Sequence, residues 1–122
     1  MLKIKRAYEP PSPEDGFRIL VDRLWPRGLS KEKEEIDLWE KDITPTTEIR
    51  KEFGHIPENF PSFQEKYLKE LENNSATDTF VHLLKEHLTQ GNVTLVYGAK
   101  DEVHNHAIIL RDYMLKKLQK LS

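Results

Sequence analysis

The segment Phe17 to Leu24 sets the tightest constraint on the fold of this chain. Phe17, Ile19 and Val21 fall on one side of an extended strand, with Arg18, Leu20, Asp22 and Leu24 on the other. A strand that is apolar on both sides asks to be covered on both, which is the environment of a mostly parallel sheet. Val93 to Tyr97 is a second strand, short, β-branched and aromatic, entered from Gly91. Lys3 to Tyr8 alternates loosely and reads as a third. It is ended by Pro10-Pro11-Ser12-Pro13, a loop that runs to the turn at Asp15-Gly16.

Between the strands the period changes to that of helices. Ser30 is an N-cap for a charged helix on which Ile36, Trp39 and Ile43 share a face. Thr44-Pro45 reads as a cap with proline at the first helical position, and Gly54 closes the short helix that follows. Ser62-Phe63-Gln64-Glu65 fits a capping box and opens a helix with Phe63, Tyr67, Leu68 and Leu71 inward. After the polar connector Asn73 to Asp78, the stripe Phe80, Val81, Leu84, Leu88 marks another helix, stopped by Gly91. The last runs from His104 to Leu118 on Ala107, Leu110, Met114 and Leu118. The pattern predicts an α/β fold: one small domain over residues 1–122, with a mainly parallel three- to four-stranded sheet packed by several helices.

Composition narrows the chemistry. A chain of 122 residues suits one core. It has no cysteine, which removes disulfides, thiolate zinc sites and thiol nucleophiles. No apolar run approaches the roughly 20 residues of a membrane span, and Met1 to Arg6 has no leader-like apolar run, so a cytoplasmic location is expected. The formal charge of −2 argues against nucleic acid as a partner unless a one-sided basic patch exists. There is no Walker loop, dinucleotide glycine fingerprint or nucleophile elbow, and no cofactor or metal is expected. His104-Asn105-His106 is no metal motif, since residues two apart on a helix do not share a face.

Two segments stand apart from scaffold. Asp22-Arg23-Leu24-Trp25-Pro26-Arg27-Gly28 follows the strand at Phe17, and Tyr97 to His106 follows the strand at Val93. Ligands of open α/β sheets sit beyond the carboxyl ends of the strands. If the two strands are parallel neighbours, these segments face each other across one crevice. Arginine forks suit phosphate and carboxylate, and a histidine near neutrality suits proton transfer. The competing reading is structural: Asp22 and Asp101 as ion-pair partners of Arg18, Arg23 or Arg27, with Asp101 as a cap and Trp25 as a packing lid.

The same segments carry a family resemblance. Asp15-Gly16-Phe17-Arg18-Ile19-Leu20-Val21-Asp22-Arg23-Leu24-Trp25-Pro26-Arg27-Gly28 resembles the hallmark of the YeaO-like subgroup of a bacterial domain-of-unknown-function family, DUF488. The likeness continues through Ser30-Lys31-Glu32, Trp39, Glu48-Ile49-Arg50-Lys51, Phe53-Gly54-His55 and Pro57, and resumes at Thr94 to Tyr97, Lys100-Asp101 and His104-Asn105. It covers essentially the whole chain. The resemblance places the family motif on Arg18, Asp22, Arg23, Trp25, Arg27, Arg50, His55, Asp101, His104 and Asn105, and it implies no particular activity. Broader relatives carry cysteines near the last strand, where this chain has Tyr97, Gly98 and Ala99.

The leading reading is a cytosolic domain that binds an anionic small molecule, a nucleotide or phosphorylated metabolite. Arg18, Arg23, Arg27 and Lys100 hold the anion, and Trp25, Arg50, His55 and Asn105 complete the binding set. Asp22, Asp101 and His104 orient the ligand or exchange protons, in the manner of a hydrolase or transferase. The alternative is a non-catalytic regulatory or nucleic-acid-associated module that uses the same arginines. Oligomeric state is left open by the sequence.

Overall fold

A computed structural model describes residues 1–121. Its sheet has four strands, β1 (Leu2–Arg6), β2 (Phe17–Leu20), β3 (Leu38–Trp39) and β4 (Val93–Tyr97). All pairings are parallel and the order is β1-β4-β2-β3. β4 is therefore central and buried along its whole length, as its β-branched and aromatic sequence leads one to expect. Its register sets Leu95 beside both Ile4 and Ile19. The two motif-bearing strands are thus parallel neighbours, the condition on which the shared crevice depends.

The two faces of the sheet are covered differently. On one, Ile19, Val21, Val93, Leu95 and Tyr97 join a core built by α2 (Thr47–Phe53), α3 (Phe60–Asn73), α4 (Thr77–Leu88) and α5 (His106–Leu121). Among its inner residues are Tyr67, Leu71, Leu84, Leu110 and Met114, all fully enclosed. On the other face Leu20, Val96 and Ala7 meet Trp25, Leu29, Ile36 and Trp39, so loops do the work of a second helical layer. The same face holds a buried polar cluster around Arg18, Asp15 and Glu34.

The main departure from the sequence pattern lies between Ser30 and Ile43. The charged helix expected there is a single turn, α1 (Lys31–Glu34), capped by the Ser30 side chain on the Lys33 N–H. Glu35 ends it in the left-handed region with φ of 50°. Leu38 and Trp39 then pair with Ile19 and Leu20 as the edge strand β3. The spacing of Ile36, Trp39 and Ile43 fits a helix, but the three side chains go to different places: Ile36 and Trp39 pack on the loop-covered face, Ile43 in the helical core. No straight helix could send them to both faces. Pairing is reinforced by Asp37, whose carboxylate accepts the Arg18 N–H at 2.8 Å while its own N–H donates to the Arg18 carbonyl at 2.9 Å.

Other boundaries shift by a turn or less. Strand β2 stops at Leu20, four residues short of the apolar pattern, and the chain bends at Arg23 and Leu24. Thr46, rather than Thr44, is the N-cap residue of α2, and Gly54 closes that helix with φ of 56°. Helix α3 starts at Phe60 with Pro61 in its first turn. Asn105 caps α5 by accepting the Ile108 N–H at 3.0 Å. No helix among the described residues is long and apolar enough to cross a membrane.

Candidate functional site

The chain leaves β2 and β4 on the same side of the sheet, and the two exits are tied together. The Gly98 N–H donates to Asp22 Oδ2 at 2.8 Å. His106, at the start of α5, lies on the other oxygen: its Nε2 is 3.2 Å from Asp22 Oδ1 and 2.8 Å from the Val21 carbonyl. A carbonyl can only accept, so Nε2 carries the proton. Asp22 is thereby held between a backbone amide of one exit loop and a histidine of the following helix.

Glycine at position 98 is required for this tie. A Cβ there would stand 2.9 Å from Asp22 Oδ2 and 3.8 Å from the Pro26 ring. Asp22 is a short side chain, bonded through Oδ2 to the Gly98 amide and enclosed at Oδ1 beside His106, so it cannot swing away freely. Gly98→Ala should therefore break the amide–carboxylate bond and cost about 1–3 kcal/mol, read as a lowered thermal midpoint. An unchanged midpoint would mean that the tie does not hold the exits together.

Above Asp22 opens a cleft of about 290 Å³. Its floor is apolar, from Phe53, Phe63 and Pro26, and its walls carry Arg23, Arg27 and Arg50 with His55 and His106. Of the three arginines, only Arg23 has a side-chain hydrogen bond among the described residues, from Nη2 to the Pro45 carbonyl at 3.3 Å. Among the described residues none of the three guanidinium groups forms an ion pair. Unneutralised arginines in a concave site raise the local potential and favour an anion. His55 arrives by way of two successive left-handed residues, Gly54 and His55 itself at φ of 58°, which turn the chain from α2 into the cleft. Left-handed histidine is uncommon, and such backbone clusters at functional sites.

Seven of the residues singled out by sequence meet in this cleft: Asp22, Arg23, Trp25, Arg27, Arg50, His55 and Asn105. Trp25 is held by its indole N–H on the Leu29 carbonyl at 2.7 Å and packs edge-on against Trp39 at 5.5 Å. It therefore serves as both wall and lid. Asn105 reaches the cleft while capping α5 and donating to the Asp101 carbonyl at 2.9 Å.

Four others do not line it. Arg18 is 3% exposed on the loop-covered face, bonded to Asp15 at 2.6 Å and Glu34 at 3.4 Å. Alternation along β2 put it there: it points opposite to Ile19, toward the loops. Lys100 is exposed on the exit loop and outside the cleft lining. Asp101 closes that loop on itself. Its Oδ1 accepts the Val103 and His104 N–H groups at 2.8 and 2.9 Å, and its Oδ2 meets His104 Nδ1 at 2.9 Å. These amides, with the His104 ring, bring its carboxyl down to about 2, so it stays ionised and has no proton to give. His104 is further committed to an edge contact with the Phe60 ring at 5.3 Å. The proton-exchange set Asp22, Asp101 and His104 is not assembled around one point.

His106 and Tyr8 line the cleft without having been selected from sequence. His104 lies in the loop before α5 and His106 is the first residue of that helix, so the helical spacing on which the two were compared does not apply to them. Nothing in the local pattern marks which of the two points inward. Tyr8 had no local signal at all, since the loop after β1 reaches the site only through the strand order.

Comparison with known proteins places the chain in one family. The family described as "Inactive DUF488-N3 subclade", DUF488-N3i, matches across residues 1–122. The YeaO protein of Escherichia coli (strain K12) is 41% identical over 113 residues, 93% of this chain and 96% of its own length. A protein of Mycobacterium tuberculosis (strain H37Rv), Rv3073c, and Mb3100c of Mycobacterium bovis are each 34% identical over 109 residues, 89% of both chains. No solved structure matches.

Proposed function

Because the chain belongs to the DUF488 family, in the subclade described as inactive, we propose that its cleft binds an anionic small molecule without turning it over. A nucleotide or phosphorylated metabolite suits its chemistry. The observation that carries this reading is the convergence of Arg23, Arg27 and Arg50, none in an ion pair among the described residues, on one concave site of about 290 Å³. Concavity favours a small ligand over a nucleic-acid backbone, which calls for an exposed basic stripe. Three features favour binding without turnover: no cysteine, an Asp101 that stays ionised outside the cleft, and an Asp22 tied to the Gly98 amide.

The test is thermal unfolding with a panel of phosphorylated compounds. A ligand present at 100 times its dissociation constant adds about 2.7 kcal/mol to stability, a rise of several degrees. Arg23→Ala combined with Arg50→Ala should abolish that rise while leaving the ligand-free midpoint close to the parent's, since both side chains are exposed. A panel in which no phosphorylated compound raises the midpoint would sink the proposal.

A further inference from the structure

We infer that the ligand of this cleft is a nucleoside monophosphate: one phosphate monoester joined to a flat ring. This rests on the anion-binding reading above and sharpens it. Charge supplies the first argument. Three guanidinium groups against the single carboxylate of Asp22 leave the lining at a formal +2 with its histidines neutral. A phosphate monoester carries roughly −1.5 to −2 near neutral pH, so one such group balances the site. A triphosphate would bring excess negative charge with no further cation lining the cleft.

The second argument is apolar surface. Tyr8 is 45% and Leu24 72% exposed, and both line this cleft. Together they offer apolar surface to a ring at the mouth of a site whose walls are charged. Tyr8 is held there: its hydroxyl donates to the Arg27 carbonyl at 3.0 Å, which fixes the ring beside an anion-binding arginine. An anchored aromatic ring next to a phosphate position is the arrangement on which a base stacks. The cleft volume lies at the small end of the roughly 300–1,000 Å³ usual for ligand sites, enough for one anionic group and one ring system.

Isothermal titration of the full chain with adenosine and cytidine 5′-monophosphates, ribose 5-phosphate, ATP, adenosine and inorganic phosphate tests this. The monophosphates should bind about tenfold more tightly than ribose 5-phosphate, and Tyr8→Ala should erase that margin. Ribose 5-phosphate binding as well as the monophosphates, or ATP binding better than its monophosphate, overturns the inference and leaves the anion site standing. Adenosine matching its monophosphate, with no binding of phosphate or sugar phosphate, removes the anion-binding reading itself.

Discussion

Gly16→Ala should be among the most damaging single substitutions in this protein, lowering the unfolding free energy by about 3 kcal/mol or more. Gly16 joins the Pro13–Asp15 turn to β2 with φ of 66° and ψ of −131°, a conformation open essentially to glycine alone. Its α-carbon also abuts the chain entering β4. A Cβ would lie 2.0 Å from the Asn92 carbonyl oxygen and 2.7 Å from its carbon. Asn92 cannot retreat, because that oxygen accepts the Phe17 N–H at 2.9 Å, the first bond of the β2–β4 pairing. Its side chain is held as well, by the Glu14 carbonyl at 2.8 Å and the amino group of Met1 at 3.1 Å. Domains of this kind are stable by roughly 5–15 kcal/mol, so the loss is a large share of the whole. The effect reaches the cleft too, since β2 sets the position of Asp22. Urea denaturation should show a much lower midpoint for Gly16→Ala, while Gly91→Ala, which meets no atom within 4 Å, should stay close to the parent. Equal midpoints for the two variants would refute the close-approach argument.

Such constraints explain what the sequence could and could not disclose. Runs whose neighbours in space are their neighbours in sequence were legible: β4 has the bounds its β-branched residues indicate, and Gly54 stops α2 where expected. The crevice between the β2 and β4 exits was legible because strand ends in parallel sheets have few alternatives. Residues 31–43 were not, because their apolar spacing satisfies a helix locally and the edge of β2 competes for the backbone only after folding. Arg18, Arg23 and Arg27 look alike in sequence, yet one is sealed under a loop and two line the cleft. The difference is set by β-strand parity and by where β2 ends. Asp101 and His104 carry the right chemistry in the right loop, but a three-residue spacing lets them satisfy each other before any ligand arrives.

Arg18→Met should destabilise the fold by about 3–5 kcal/mol and leave ligand affinity intact in whatever fraction stays folded. The guanidinium bridges Asp15 and Glu34, donates from Nε to the Glu34 carbonyl at 3.0 Å, and is enclosed with both carboxylates. Lys5 adds a second cation to Asp15 at 3.1 Å, so Glu34 is the partner left stranded when Arg18 is lost. Combining Arg18→Met with Glu34→Leu should recover much of the loss, since it is the uncompensated buried charge that costs most.

The two acids also set the sign of the pH dependence. Burial alone would raise Asp15, but hydrogen bonds from the Ser12 amide, Lys5 and Arg18 outweigh it and hold its carboxyl below the usual 3.8. Its contribution is therefore complete above that value and lost as pH falls through the lower folded one. Burial pushes Glu34 above 4.5 despite the nearby Arg18 charge, so its contribution runs the other way and falls as pH rises through the folded value. Removing Arg18 raises both folded values. The deficit of Arg18→Met relative to the parent should thus be largest at neutral pH and shrink as the solution is acidified, visible as converging denaturation midpoints. A deficit that grows toward acid would mean that Arg18 acts through something other than these two carboxylates, and a folded variant that no longer binds the parent's ligand would return Arg18 to the cleft.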